Sequence, residues 1–253
     1  MSTEGSRGPD GRSASGASPS ANTNLAEHLV LMCASALFTG LSQRECKEIA
    51  SCARSRTFAR NELLFNQGQP VQNLILLESG SVKLTQISPA GDEVLLWMTG
   101  SGDPVNVNAD AASCSHTCSA RAMEHCKALV WEYQRLQALL NQYPQIRKNI
   151  SRILAGRLEE LEERFREVAT EPVARRLALT LLRLLKQVGK PSKEGIQVSL
   201  TREELAQMTG TTLFTISRVL SKWAVQGLVQ PIREGVVINN PERLESASDD
   251  ADE

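Results

Sequence analysis

Leu200-Thr201-Arg202-Glu203-Glu204-Leu205-Ala206-Gln207-Met208-Thr209-Gly210-Thr211-Thr212-Leu213-Phe214-Thr215-Ile216-Ser217-Arg218-Val219-Leu220 is the stretch on which the reading of this chain turns. Thr201 with Glu204 forms a capping box, which starts a helix at about Arg202. Ala206 is small where a second helix must cross closely. Gly210 follows four residues later, where the turn needs a left-handed backbone. Ile216 lies six residues beyond it, on the buried face of the second helix, and Leu205 and Val219 complete the apolar contacts. A small residue, then Gly at +4, then a β-branched residue at +10 is the packing pattern of a helix-turn-helix. An ordinary helical hairpin explains the apolar spacing but not the caps and the turn together. Downstream, Gly227 ends the helix, and Leu228-Val229 can pair with Val236-Val237-Ile238 around Arg233-Glu234-Gly235. The unit therefore reads as a winged helix.

A second helix of this kind enters the major groove of DNA. Thr212, Leu213, Phe214, Thr215 and Arg218 lie near its start or on one exposed face. Arg218 can bond guanine O6 and N7 in bidentate fashion. Thr201, Arg202 and Thr212 are placed for phosphates, and Lys222 is a further phosphate candidate. Leu213 and Phe214 leave two readings open, packing against the wing or contact with thymine methyls.

The charge distribution agrees. Residues 1–169 carry a net charge of -1, residues 170–243 a net +5, and residues 244–253 a net -5. The basic block coincides with the winged helix, as a phosphate-binding surface requires. The acidic end reads as a solvated, mobile tail; competition with DNA for the basic face is the sharper alternative, a solubilising end the plainer one.

Upstream, residues 146–168 read as one long helix. Leu154, Leu158, Leu161, Phe165 and Val168 are spaced 4, 3, 4, 3 between charged flanks, which is a coiled-coil seam. A seam this narrow suits a partner helix, and in a homodimer the partner is the same helix; packing on its own domain is the alternative. Pro172 then breaks the pattern, a second amphipathic helix follows with Val173, Leu177, Leu181, Leu184 and Leu185, and residues 189–195 read as a polar loop.

Between Thr57 and about Tyr133, short apolar runs such as Leu74-Ile75-Leu76-Leu77 and Val82-Lys83-Leu84 alternate with glycine turns such as Glu78-Ser79-Gly80-Ser81 and Pro89-Ala90-Gly91-Asp92. That is the rhythm of a β-barrel or sandwich. Residues 25–52 are helical in pattern, with a capping box at Ser42 and Glu45. Residues 1–24, rich in Ser, Gly, Ala and Pro, read as a disordered, uncleaved tail without a signal peptide's apolar core. No apolar stretch is long enough to span a membrane, so a cytoplasmic location with mostly reduced cysteines is expected. The chain has three histidines and shows no nucleophile elbow, phosphate loop or paired-carboxylate motif, so an enzyme reading has no support.

The order of parts resembles the CRP/FNR superfamily of bacterial regulators over residues 37–244. The turns around Asn66-Gln67-Gly68, Glu78-Ser79-Gly80-Ser81-Val82, Gly91-Asp92-Glu93 and Gly102-Asp103 match that family's β-roll, and the winged helix is the most specific part. The resemblance implies an α+β fold: a cyclic-nucleotide-binding-like β-roll over residues 25–144, a dimerisation helix over 145–169, and a winged helix-turn-helix over 170–243. It implies a homodimeric transcription regulator that binds a palindromic site, takes an effector in its β-roll and partners RNA polymerase.

Two departures stand out. Members that bind cyclic AMP carry Gly-Glu-Leu after the Gly-Asp turn and an Arg-Ser pair later. Here the first region reads Pro104-Val105-Asn106-Val107-Asn108, with Asn106 and Val107 at the Gly-Glu position, and His116-Thr117 falls near Arg-Ser. Without the carboxylate and the guanidinium a cyclic nucleotide loses its charge-assisted bonds, so cyclic AMP is not the expected effector. In the recognition helix, Leu213-Phe214 stands where well-known members place an Arg-Glu or Val-Ser pair, which implies an altered half-site; Arg218 matches the guanine-reading arginine.

Cys114, His116, Cys118, His125 and Cys126 crowd one region and form the alternative sensor set: a metal, haem or iron–sulfur site, or a redox pair of Cys114 with Cys118. Their spacing fits no standard motif. Iron–sulfur members of the family cluster cysteines near the N-terminus, whereas Cys33, Cys46 and Cys52 are widely spaced. Cys46, Cys52 and Cys126 sit in apolar patterns and read as small core residues.

Overall fold

The computed structural model describes residues 20–107 and 114–249. Helices α1 (Ser20–Ala34) and α2 (Gln43–Ser51) open the chain, joined through a 3-10 turn at Ala36–Phe38. The start of α1 falls inside the segment read as a tail, so the helical part begins five residues before Leu25. The Ser42–Glu45 capping box forms with both reciprocal bonds.

The roll is built from β1 (Arg54–Phe58), β2 (Leu63–Phe65), β3 (Asn73–Ser79), β4 (Val82–Ile87), β5 (Glu93–Thr99), β6 (Ser119–Ala122) and β7 (Cys126–Glu132). One sheet has the order β1-β7-β3 and the other β2-β6-β4-β5, with antiparallel neighbours throughout. The unbroken apolar run in β3 follows from burial on both faces. Ile75 and Leu77 face the roll interior with Phe58, Val82 and Leu84, while Leu74 and Leu76 face the helices with Met32, Phe38 and Trp131. The β3–β4 turn requires glycine: Gly80 has φ +91°, and a Cβ there would lie 2.6 Å from Cys126 Sγ.

After β7 come α3 (Tyr133–Gln142) and α4 (Pro144–Thr170). At about 1.5 Å per residue α4 is about 40 Å long, and its first half is gripped by the N-terminal elements. Asn149 is buried and its Nδ2 donates to the carbonyls of Leu37 (2.9 Å) and Thr39 (2.8 Å). An Asn149→Leu variant leaves both carbonyls unpaired in an apolar setting. A loss of about 2–3 kcal/mol in urea unfolding is the expected outcome; a loss within ~0.5 kcal/mol would show that these bonds contribute nothing.

The C-terminal unit comprises α5 (Val173–Val188), β8 (Lys190–Pro191), β9 (Ile196–Val198), α6 (Arg202–Thr209), α7 (Leu213–Val225), β10 (Val229–Ile232), β11 (Gly235–Ile238) and α8 (Pro241–Asp249). Its sheet has the order β10-β11-β9-β8. The segment expected to be a polar loop thus contributes a short strand, β8, whose two residues carry no periodic signal. The acidic end is also corrected. Leu244 is buried in the winged-helix core and anchors α8, so the first part of residues 244–253 is helix; residues 250–253 lie outside the described residues.

The two units are joined by more than α4. Leu95 and Met98 of β5 enter the core of the winged helix, and Gly100 approaches α5 so closely that a Cβ would lie 2.3 Å from the Gln187 carbonyl oxygen. Arg183 forks onto buried Glu167 at 2.6 and 2.8 Å, tying α5 to α4. Among the described residues, ion pairs that cross between the units include Lys83–Glu204 at 2.8 Å, Arg60–Glu234 at 2.7 Å, and Lys190–Glu124. They surround a polar cavity of about 380 Å³.

Candidate nucleic-acid interface

The interface begins with two capped helices. Thr201 Oγ1 accepts from the Glu204 amide at 3.1 Å, and Glu204 Oε2 accepts from the Thr201 amide at 2.9 Å. Gly210 ends α6 at φ 60°, ψ 45°, the left-handed conformation the turn required. Thr212 then caps α7 by accepting from the Thr215 amide at 3.3 Å. The starts of both helices line one cleft, through Thr201, Arg202 and Glu203 of the first and Leu213 of the second, and helix N-termini favour anions.

The buried face of α7 carries Ile216, Leu220 and Trp223, against Leu205 and Ala206 of α6. The opposite stripe is Phe214, Arg218 and Lys222, four residues apart and all exposed. Phe214 is 83% exposed, so it does not pack on the wing. Leu213, 41% exposed, faces a cleft of about 460 Å³ between the start of α7 and the wing, lined also by Leu200, Arg202, Ile232 and Arg233. The two apolar residues thus divide: Leu213 turns to the wing and Phe214 to solvent. Arg233, at the wing tip, was not singled out from the sequence; only the β10–β11 register brings it beside Arg202.

The seam residues Leu154, Leu158, Leu161, Phe165 and Val168 are all on α4 and between 42% and 77% exposed in the single chain.

The roll is less open to a nucleotide than its fold alone suggests. Asn106 is an internal splint: Oδ1 accepts from the Ile75 amide at 3.1 Å and Nδ2 donates to the Asn73 carbonyl at 2.7 Å. Val107 is buried in the helix-side core. His116 is buried and stacked on Phe65 with centroids 3.7 Å apart, and burial pushes its pKa down, so it offers no cation near neutral pH. Asn108 lies outside the described residues. Arg157 of α4 reaches the roll instead, donating to the Pro104 carbonyl at 2.8 Å and lying over the Trp97 ring. These residues do not fit a cyclic phosphate and ribose.

The cysteine and histidine candidates are spread out. Cys114 and His125 are exposed, Cys118 is half-buried, and Cys126 is buried with its thiol donating to the Ser81 carbonyl. Among the described residues no three His, Cys, Asp or Glu side chains gather as a metal site.

A β-roll, a long helix and a winged helix with a capped reading helix together define a DNA-binding transcription regulator. The chain belongs to the CRP/FNR superfamily. The Crp-like helix-turn-helix domain family matches residues 175–247, and the cyclic nucleotide-binding domain family matches residues 55–143. The cyclic AMP receptor protein of Thermus thermophilus is 30% identical over 196 residues, 78% of this chain and 88% of that protein. Electron transport regulator A of Shewanella oneidensis is 25% identical over 187 residues, 73% of this chain and 74% of that one. Among solved structures, the c-di-GMP responsive global regulator CLP of Xanthomonas campestris superposes with a TM-score of 0.66 at 25% identity, covering 79% of this chain and 100% of that one.

Proposed function

We propose that this protein is a homodimer that binds a two-fold symmetric DNA site, with α7 of each protomer in the major groove and the half-sites about one helical turn apart. The observation that carries this reading is the exposed stripe Phe214–Arg218–Lys222 on a helix whose capped start stands beside the Arg202–Arg233 cleft. Arg218 reads guanine; Thr201, Arg202, Thr212 and Lys222 hold phosphates; Thr215 and Phe214 face the base edges, and Leu213 sets the wing. The uncovered seam of α4 supplies the two-fold axis. The protein acts in the cytoplasm by binding rather than catalysis, with RNA polymerase as its further partner. Fluorescence anisotropy with random duplex across a salt series tests the first part: log affinity should fall linearly with log salt, and the absence of any salt-dependent binding would refute it.

The effector sits in or against the roll and is not cyclic AMP. The relatives' names point to different signals, so family membership does not choose one. Cyclic AMP at millimolar concentration should give no calorimetric heat and no change in DNA affinity. A micromolar dissociation constant would mean that residues other than Asn106, Val107 and His116 supply the missing charges.

A further inference from the structure

We propose that the cleft shared by β5, α4 and α5 binds a small zwitterion of the α-amino-acid type with a short aliphatic side chain, its carboxylate on Arg157 and its ammonium between Asp103 and Glu160. The cleft has a volume of about 220 Å³ and is walled by three parts of the chain. Trp97 of β5 and Asp103 come from the roll, Gly156, Arg157 and Glu160 from α4, and Gln187 from α5. Sites for drug-sized molecules run from about 300 Å³ upward, so the occupant is small.

The cleft holds both signs of charge without pairing them. Arg157 Nη2 donates to the Pro104 carbonyl at 2.8 Å, and its guanidinium lies 5.6 Å from the Trp97 ring centroid. Asp103 and Glu160 line the same cleft, yet among the described residues neither closes an ion pair with Arg157. Glu160 accepts from Gln187 Nε2 at 3.4 Å on each oxygen, which is long for a hydrogen bond. A half-buried guanidinium short of an anion, beside two carboxylates short of a cation, is satisfied by a molecule that carries both charges. An anion alone would meet the two carboxylates, and a cation alone would meet Arg157. Trp97 and Ile153, both half-buried, supply the apolar wall for the aliphatic side chain.

Gly156 is a second, independent observation. Glycine is unfavourable in a helix interior, and α4 runs from Pro144 to Thr170. Apart from its own helix, nothing lies within 4 Å of the Cβ that Gly156 lacks, so no packing contact in the chain requires glycine there. It falls midway between Leu154 and Leu158 and so faces away from the apolar seam; a partner helix on that seam does not require it either. Its missing side chain leaves the cleft open. The walls belong to the roll, the long helix and the first helix of the winged unit, so an occupant ties the three together. Its regulatory meaning rests on the effector reading above; its binding does not.

Isothermal titration calorimetry of the full chain with L-valine and with L-leucine tests the site. Isocaproate keeps leucine's carboxylate and isoamylamine keeps its amine, and each should bind at least about tenfold more weakly than leucine. Gly156→Leu fills the cleft from a helical position with room for a side chain. It should leave the thermal midpoint unchanged or higher and abolish the heat of binding, and Arg157→Gln should abolish that heat as well. Failure of both amino acids to bind at millimolar concentration overturns the proposal. So does isocaproate or isoamylamine binding as tightly as leucine, or full binding by a folded Gly156→Leu variant. DNA anisotropy with and without the amino acid separates the site from its role. A change in duplex affinity supports the effector reading, whereas amino-acid binding with duplex affinity unchanged keeps the site and removes that role.

Discussion

In the proposed homodimer, replacing Leu158 and Leu161 together by glutamate is expected to give a monomer and to lower affinity for a two-half-site duplex by about 10²–10⁴-fold, the range over which linked sites gain by avidity. The two leucines are on the solvent face of α4, 57% and 43% exposed in the single chain, and neither supports the chain's own core. The double variant should therefore fold. Across a two-fold axis, however, each carboxylate meets its own copy, and like charges are forced into an apolar seam. Sedimentation velocity measures the mass and anisotropy the affinity. Unchanged sedimentation would sink the seam. A monomer that still bound the duplex with full affinity would separate dimerisation from DNA binding.

The second large effect distinguishes Arg218 from Arg202. Arg218 is exposed on α7, on the face proposed to read bases, whereas Arg202 is at the start of α6 beside the wing cleft. Arg218→Ala should cost about 1–3 kcal/mol on the specific site and flatten the preference for guanine at one position of each half-site. Arg202→Ala should weaken specific and random duplex alike and lower the salt slope by about one. Titrating both variants against specific and scrambled duplexes at several salt concentrations gives the answer. If Arg218→Ala weakens both duplexes equally, Arg218 is a phosphate contact, and base reading falls to Phe214, Thr215 or the shape of the DNA.

What was legible in the sequence was what is local. The winged helix announced itself because a capping box, a left-handed Gly210 and the small Ala206 each constrain neighbours within a few residues. The long α4 helix with its exposed apolar stripe was legible because such a repeat is a property of one helix. Asn106 and His116 showed only which charges were missing; that one splints β3 and the other stacks on Phe65 depends on strands far away in the chain. The acidic end was misread because its charges outnumber the single buried Leu244 that anchors α8. The crowding of Cys114 to Cys126 did not become a metal site among the described residues: Cys114, His116 and Cys118 precede β6, His125 lies in the β6–β7 turn, and only Cys126 is on a strand. The ion pairs between the units had no signal at all: Lys83 and Glu204 are 121 residues apart, and Arg60 and Glu234 are 174 apart.

Under the proposed function, those ion pairs would couple DNA binding to domain docking. Glu204 and Glu234 are two of the six acids in residues 170–243, and they lie on α6 and in the wing, the elements to which the proposed function assigns phosphate contacts. Docked, each has a cation from the roll at 2.8 or 2.7 Å; released, each would confront a polyanion uncompensated. In the proposed complex the charge presented to DNA would then be a property of the joint between the units and not of the reader alone. Whatever factor docking contributes to affinity for DNA, DNA must return to docking. A ligand of the roll that loosened the joint would act on the same balance without touching a base.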